Sequence, residues 1–157
     1  MSEIKYREAI EQDIPKIIEL WKEFIDFHKV RDPFFSRSKK GPENFGKFIL
    51  ENLSKDDAIV YVAETNGDVV AHILATIQSY PPAFEIKRYG LINDLAVASA
   101  YRRIGIGQHL FDMARDWFDK KGMKRIEIEI AVANEVSTSF WKKMDFKLYK
   151  EKCFLEL

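Results

Sequence analysis

The sequence has few of the residues from which covalently or metal-stabilised folds are built. Its 157 residues include one cysteine, Cys153, so no disulfide can form within the chain. The three histidines and this cysteine lie far apart, which does not match the ligand spacing of a structural zinc site. An apolar core must therefore hold the chain together, and a chain of this length can bury one. A single cysteine suits a reducing compartment.

The sequence also lacks an excess of charge of either sign. Lys and Arg number 25, and Asp and Glu number 25, for a formal net charge of zero. This balance argues against nucleic acid or an anionic membrane as the main partner, because bulk positive charge recognises both. No apolar run approaches the roughly 20 residues of a membrane span. The first residues lack the basic-then-apolar pattern of a signal peptide. We therefore expect a cytoplasmic protein.

Apolar residues are plentiful, and they indicate one globular domain over residues 1–157. Hydrophobic residues make up 46% and aromatic residues 13% of the chain, which excludes a disordered protein. The sequence has no internal repeat, linker or low-complexity segment.

The N-terminal part of the chain predicts one strand and two helices. Residues 4–9 alternate in the manner of a strand. A helix is expected after Asp13, with Asp13 as its N-cap and Pro15 in its first turn, and a helical apolar stripe follows. Residues 29–42 break this pattern and predict a loop before a second helix over residues 43–53.

The rest of the chain predicts a hairpin followed by alternating strands and helices. Asn66-Gly67 separates apolar runs over residues 58–64 and 69–80, which is a strong hairpin signal. The remaining predicted elements are a strand over residues 86–97, a helix from Ile106 to near Gly122, a strand over residues 125–131, a short helix over residues 135–144 and a closing strand over residues 146–157. This order predicts an α/β fold with a single mixed, mostly antiparallel sheet flanked by helices.

A basic turn with two glycines joins the central strand to the following helix. The segment runs from Asp94 through Arg102-Arg103-Ile104-Gly105-Ile106-Gly107 into the helix. Free amides and the positive dipole end at a helix N-terminus favour a phosphate, and glycines let it approach closely. The segment matches neither the dinucleotide-binding fingerprint nor a Walker motif. A basic loop without a ligand stays a second interpretation.

Two motifs resemble those of the GNAT (Gcn5-related) N-acetyltransferases. Arg102-x-x-Gly105-x-Gly107 after Asp94-Leu95-Ala96-Val97 is similar to motif A of that family. Asn134, Ser137, Phe140-Trp141 and Met144-Asp145-Phe146 are similar to its later motif of Asn, a small residue, Phe-Tyr and Gly-Phe. The predicted element order also fits, so the resemblance covers essentially the whole chain.

The resemblance implies acetyl-CoA as cosubstrate, held in a V-shaped gap between two parallel strands that splay apart. The strand ending at Val97 would contact the pantetheine arm and the thioester, and the strand over residues 125–131 would form the other arm. The loop amides would hold the pyrophosphate. The implied binding residues are Leu95, Ala96, Val97, Arg102, Arg103, Ile104, Gly105, Ile106, Gly107, Gln108, Asn134 and Trp141.

The sequence departs from the family pattern where acid–base chemistry is expected. Asn93 stands where a Glu often serves as base, and Trp141 stands where a Tyr often serves as acid. Asp94 is the nearest carboxylate and the candidate catalytic residue, with a structural Asp held by backbone amides as the alternative. We expect catalysis to rest on positioning and on a backbone oxyanion donor near Val97. Deprotonation would fall to water ordered by Asp94 or to the free-base amine.

The acceptor implied is a primary amine on a small molecule or peptide. The alternative function is a CoA- or acyl-CoA-binding regulatory domain without turnover, which Asn93 and Trp141 favour. A nucleic-acid-binding module is disfavoured by the zero net charge. The apolar closing strand predicts a homodimer.

Other polar residues are assigned to ordinary roles. His28 and His72 could act as bases, but we expect His28 on the surface at the end of the first helix, and His72 in a hairpin strand. Glu127 alternates with isoleucines and is predicted to face solvent or a groove. Cys153 is predicted to act as a small apolar side chain in the closing strand.

Overall fold

The backbone is organised around one mixed sheet. A computed structural model describes residues 2–157, and in them the strands follow the order β1-β2-β3-β4-β5. Neighbouring strands are antiparallel except β4 and β5, which are parallel. The strands are β1 (Lys5–Glu8), β2 (Ala58–Thr65), β3 (Asp68–Ser79), β4 (Arg88–Val97) and β5 (Ile126–Ile128), and the helices are α1 (Ile14–Lys29), α2 (Gly41–Leu53), α3 (Ile106–Lys120) and α4 (Glu135–Lys143). The predicted fold class is confirmed.

Helices cover both faces of the sheet, each through its apolar stripe. On one face, Ile17 of α1 and Ile49 of α2 pack with Leu74 of β3. On the other, Phe118 of α3 packs with Ile73 of β3. We call these the α1/α2 face and the α3 face. Each is a layer of fully buried side chains, so the sheet is the rigid frame from which the loops project.

The predicted hairpin is present, and its turn explains the sequence. Asn66 and Gly67 have φ values of 52° and 79° between β2 and β3. Positive φ at both central residues is the type I′ geometry, which matches the twist of two paired strands. Asn and Gly tolerate this geometry with little strain.

The start of α1 lies where it was predicted, with Asp13 at the N-cap position, but the Asp13 side chain does not cap the helix. Asp13 precedes the helix, and its side chain makes no capping bond to a helix amide. Its carboxylate instead accepts hydrogen bonds from Arg7 at 2.7 and 2.9 Å and from the Ile10 amide at 2.8 Å. A guanidinium from the adjacent strand outcompetes the helix amides because the charge-assisted bidentate pair is stronger.

The predicted closing strand is wrong. Residues 147–157 have no regular secondary structure, are exposed, and make no backbone hydrogen bond to the described residues. Cys153 is therefore an exposed thiol, not a strand residue. Phe146 stays in the core against Phe111 and Trp141. Alternation shows that a segment can form a strand, but a ladder also needs a partner edge, and β5 is only three residues long.

Candidate functional site

The two parallel strands stay paired for only a short distance. Their register ends at Ile92 and Ile128, although β4 continues along β3 to Val97. On the β5 side, the backbone from Asn93 to Val97 therefore has no ladder partner, and we call the space along this edge the β4–β5 gap. Strand groups without a ladder partner remain available to hydrogen-bond a ligand.

A β-bulge in β4 lies at the mouth of this gap. Asn93 is the extra residue between the pairs that β4 makes with β3 on either side. The bulge shifts the alternation by one position, so Asn93 and Asp94 point to the same face. Thr76 Oγ1 donates to Asn93 Oδ1 over 2.7 Å, and His72, also on β3, contacts Asp94. Two adjacent polar side chains thus lie together on the α1/α2 face.

The loop from β4 to α3 presents unpaired amides. Among the described residues, no backbone N–H from Arg103 to Gln108 has a hydrogen-bond acceptor. Arg103 and Gly105 have positive φ values of 63° and 90°, which turn the chain sharply into the helix. These amides lie at the positive end of α3, where an anionic group is stabilised. The loop has the features expected of the predicted pyrophosphate site.

Arg102 is directed toward α1 and the end of β4. Its Nε donates to the Val97 carbonyl over 2.9 Å, and its Nη2 lies 2.9 Å from Glu23 Oε1. The same Glu23 oxygen accepts the Ser99 amide at 3.0 Å. Arg102 and Glu23 therefore fasten the loop to α1, a role that the motif alone did not reveal.

Asn134 sits at the N-terminus of α4 in a chain of hydrogen bonds. Its Oδ1 accepts the Ser137 amide at 3.1 Å and caps the helix, and its Nδ2 lies 3.0 Å from His28 Nε2. His28 Nδ1 lies 2.8 Å from the Phe24 carbonyl. We infer that Nδ1 carries the proton, since it faces an acceptor while Nε2 faces the Asn134 amide.

The prediction that His28 lies on the surface is wrong, because His28 is 4% exposed. Its hydrogen bond to Asn134 brings the C-terminal end of α1 to the start of α4, a contact that the sequence does not reveal. This hydrogen bond helps to orient the Asn134 amide.

Trp141 belongs to the core on the α3 face. It is 4% exposed and packs edge-on against Phe111, Phe140 and Phe146. Its indole N–H has no hydrogen-bond partner among the described residues, yet it is not one of their fully buried polar atoms. The nitrogen therefore reaches the surface while the ring serves as packing.

His72 is the functional candidate whose partner the sequence did not identify. Its Nε2 lies 2.5 Å from Asp94 Oδ2, and the two side chains are 0% and 8% exposed. Asp94 makes no hydrogen bond to a backbone amide of the described residues. The available signal was a lone imidazole in the apolar run from Val69 to Ile77. Its partner depends on the register of β3 against β4.

A second polar cluster surrounds Glu127 on β5. Tyr149 donates to its carboxylate, and Arg125 Nε lies 3.2 Å from the same oxygen. Burial disfavours ionisation of Glu127, but hydrogen bonds from Tyr149, Tyr80 and Arg125 outweigh it and lower the pKa. Burial and the Glu127 carboxylate raise the pKa of Tyr80 to about 12. Directly paired strand residues point to the same face of a sheet. Glu127 pairs with Leu91, and Leu91 pairs with Thr76, which lies two residues from Leu74 on the same face. Glu127 therefore lies on the α1/α2 face.

Comparison with known proteins identifies the family to which this geometry belongs. The model of the acetyltransferase (GNAT) family matches residues 18–146, well over half of the chain. The chain belongs to this family. This GNAT protein is accordingly an N-acetyltransferase, and a CoA-type cosubstrate follows from its family membership.

Individual relatives agree with this assignment. An N-alpha-acetyltransferase of Sulfurisphaera tokodaii is 29% identical over 115 residues, which cover 69% of each protein. The tetramutant of the BH1408 protein from Bacillus halodurans has the same fold, with a TM-score of 0.85 and 21% identity over 98% of this chain and 99% of that one. A predicted acetyltransferase from Clostridium acetobutylicum, solved with acetyl-CoA, has a TM-score of 0.79 at 18% identity over 98% of this chain and 96% of that one.

Within residues 2–157, no helix is long and apolar enough to cross a membrane. The same residues hold no group of three or more His, Cys, Asp or Glu side chains arranged to bind a metal ion.

Proposed function

We propose that this GNAT enzyme transfers the acetyl group of acetyl-CoA directly to a primary amine in a ternary complex. The observation that carries the proposal is the continuity of the open β4 edge with the free amides from Arg103 to Gln108. The acceptor is a small molecule or a peptide. The proposed catalytic domain spans residues 1–157 and acts in the cytoplasm, the compartment that its single cysteine suits.

The proposed binding mode uses mainly backbone groups of this chain. The pyrophosphate is placed on the amides of residues 103–108, where the α3 dipole favours negative charge. The pantetheine arm follows Leu95, Ala96 and Val97 along the gap. Asn134 has a second amide hydrogen beyond the one facing His28, and the Trp141 indole N–H is a further donor.

The proposed chemistry is aminolysis of a thioester. An alkylammonium has a pKa of about 10.4 and must lose a proton before it can attack. Its nitrogen then forms a bond to the thioester carbon, the C–S bond breaks, and the CoA thiolate leaves and takes up a proton. Negative charge develops on the carbonyl oxygen, where a backbone N–H near Val97 is worth about 2.7–4 kcal/mol.

Two acceptor classes have support from named relatives. The Sulfurisphaera protein is an N-alpha-acetyltransferase, and a protein of the same fold from Acinetobacter haemolyticus is an aminoglycoside 6'-N-acetyltransferase. We propose that the acceptor amine approaches from the α1/α2 face. Asn93 and Asp94 lie there at the gap, and the Glu127 carboxylate offers negative charge to a cation.

The test is an acceptor screen with acetyl-CoA. The panel contains peptides with free N-termini, lysine peptides and aminoglycosides, and the readouts are release of CoA thiol and acetylated product by mass spectrometry. Turnover with one class identifies the acceptor. CoA binding without turnover across the panel would instead support the regulatory alternative. Absence of both would refute the proposed function.

A further inference from the structure

We infer that His72 is a positioning residue for acetyl transfer and that Asp94, which it holds, accepts the proton of the amine. The inference rests on the proposed function and assigns roles within the same site. It starts from a contact between β3 and β4, in which His72 Nε2 and Asp94 Oδ2 are 2.5 Å apart.

The proton between these two groups belongs to His72 Nε2. Among the described residues, His72 Nδ1 is the one fully buried side-chain polar atom without a hydrogen-bond partner. A proton on Nδ1 would leave an N–H donor unsatisfied in an apolar environment, which costs more than a lone pair left free. The neutral imidazole therefore keeps its proton on Nε2 and donates it to the Asp94 carboxylate.

The two oxygens of Asp94 have different surroundings. Oδ2 is held by His72, whereas Oδ1 has no hydrogen bond to the described residues. Oδ1 is also absent from the fully buried polar atoms, so it reaches the solvent side of the site. One fixed oxygen and one free oxygen are what a carboxylate needs to take a proton in a defined direction.

The location of the pair connects it to the reaction. Asp94 follows the bulge at Asn93, where β4 leaves β5 and the gap opens. His72 is 0% exposed and packs near the Phe45 ring at 6.3 Å, so it cannot touch an acceptor and acts only through Asp94. An apolar side chain would fill this position without the desolvation cost of an imidazole. What the histidine adds is a fixed donor for Asp94.

The transfer removes two protons from the ammonium nitrogen. The first passes to Asp94 Oδ1 before the nitrogen attacks the thioester carbon, and Asp94 later releases it to solvent. The second leaves the nitrogen as the C–S bond breaks and is taken up by the leaving thiolate. His72 keeps its Nε2 proton throughout, because a carboxylate is too weak a base to deprotonate a neutral imidazole.

The first test needs no acceptor. We expect nitrogen-15 spectra of the histidine side chains in the unliganded enzyme to show His72 protonated on Nε2 and His28 protonated on Nδ1. His28 is the matched internal control because its partners predict the opposite tautomer. Asp94→Asn should shift the His72 signals and leave those of His28 unchanged. A His72 proton on Nδ1 would overturn the inference.

The second test uses acetyl-CoA with the amine that reacts fastest in the screen. We expect His72→Leu to lower kcat by about 10- to 100-fold, the scale of a misplaced catalytic group. The KM for acetyl-CoA should not change. His72→Gln places an amide donor near the Nε2 position and should restore most of the activity. In the Asp94→Asn background, His72→Leu should cost nothing further.

The outcomes separate the two proposals. No turnover by the wild-type enzyme with any amine refutes the proposed function itself. Wild-type turnover that His72→Leu leaves unchanged refutes the positioning role alone, and so does a loss of kcat that adds fully to that of Asp94→Asn. If His72→Leu fails to fold, His72→Gln serves as the test instead. A folded His72→Gln enzyme with a kcat as low as that of Asp94→Asn also refutes the positioning role.

Discussion

At the scale of single residues, the two glycines where the loop meets α3, Gly105 and Gly107, have different surroundings. A Cβ built on Gly105 meets nothing within 4 Å, whereas one built on Gly107 meets Phe140 at 3.5 Å and Val97 at 3.7 Å. Gly105 therefore borders open space in front of the free amides, and Gly107 faces the interior. Only the first can obstruct an anion that approaches the loop.

This difference predicts the result of substituting each glycine. Wild-type protein should gain thermal stability from CoA, since a ligand that binds only the native state adds RT ln(1 + [L]/Kd). Gly105→Val should abolish the gain and lower the unliganded stability by about 1–2 kcal/mol, because its φ is +90°. Gly107→Ala is the control. It should keep both the stability of the unliganded protein and the gain in thermal stability from CoA.

Thermal unfolding with and without millimolar CoA measures these effects. An unchanged melting temperature in the wild type would contradict the cosubstrate assignment. A Gly105→Val protein that still responds to CoA would contradict the placement of the pyrophosphate on this loop.

Gly90 makes a different prediction, because its lack of a side chain serves packing. A Cβ there would lie 2.6 Å from the Phe118 ring of α3. Gly90→Ala should destabilise the enzyme by about 1–3 kcal/mol, the usual cost of overpacking a core. Combining it with Phe118→Leu should cost less than the sum of the two single changes. Denaturant unfolding checks this, and strict additivity would show that the ring is not the obstacle.

At the scale of elements, a half-buried ion pair between Arg7 and Asp13 connects β1 to the residue that precedes α1. Asp13 is 6% exposed, and burial opposes its ionisation. Hydrogen bonds from Arg7 and the Ile10 amide outweigh that effect and lower the pKa of Asp13. A lowered pKa means that the folded state binds this proton more weakly than the unfolded chain. The pair therefore stabilises the fold above the unfolded pKa of about 3.9, and the stabilisation is lost as pH falls further.

Asp13→Asn should therefore cost about 1.5–3 kcal/mol at neutral pH, the range for hydrogen bonds to charged groups. The difference from wild type should shrink as the pH falls below about 4. Asp68→Asn is the matched control. Asp68 pairs with Lys16 on the surface, where the Lys16 side chain is 55% and the Asp68 side chain 64% exposed, so this pair should contribute less than about 1 kcal/mol. Urea unfolding over a pH series measures both, and equal losses in the two variants would argue against the pair.

At the scale of the whole molecule, the C-terminal segment leaves apolar side chains uncovered. Leu148, Phe154 and Leu155 are each more than 80% exposed. Helices of the same chain do not cover them, and exposed apolar surface of this kind is typical of an interface. We propose that a second copy of the chain covers residues 147–157 in a homodimer.

Light scattering tests the dimer. The full chain should have twice the 18.4 kDa mass of one chain, and a chain ending at Phe146 should be a monomer. Phe146 is retained because it packs with Trp141 in the core. A CoA-dependent thermal shift in the shortened chain would confirm that it folds. A full chain that remains monomeric at micromolar concentration contradicts the proposal.

Most elements could be predicted because their signals are local. The Asn66-Gly67 turn, the apolar stripe of α3 and the glycine loop before it depend on residues that are close in sequence. The same local logic failed for residues 146–157, where alternation was present but a partner strand was not. Local signals also could not assign the role of Asp94, because its surroundings decide whether it is a structural or a reacting carboxylate.

The sequence by itself determined the order of the elements as far as α4, the sheet class and the glycine-containing turn before α3, because periodicity and turn chemistry act over a few residues. Only the tertiary structure decided the side-chain pairs of the site. His72 and Asp94 are 22 residues apart, and His28 and Asn134 are 106 apart. Such pairs depend on strand register, on the bulge at Asn93 and on where the end of α1 lies relative to the start of α4. These features are set by burial of the whole core, which no short segment encodes.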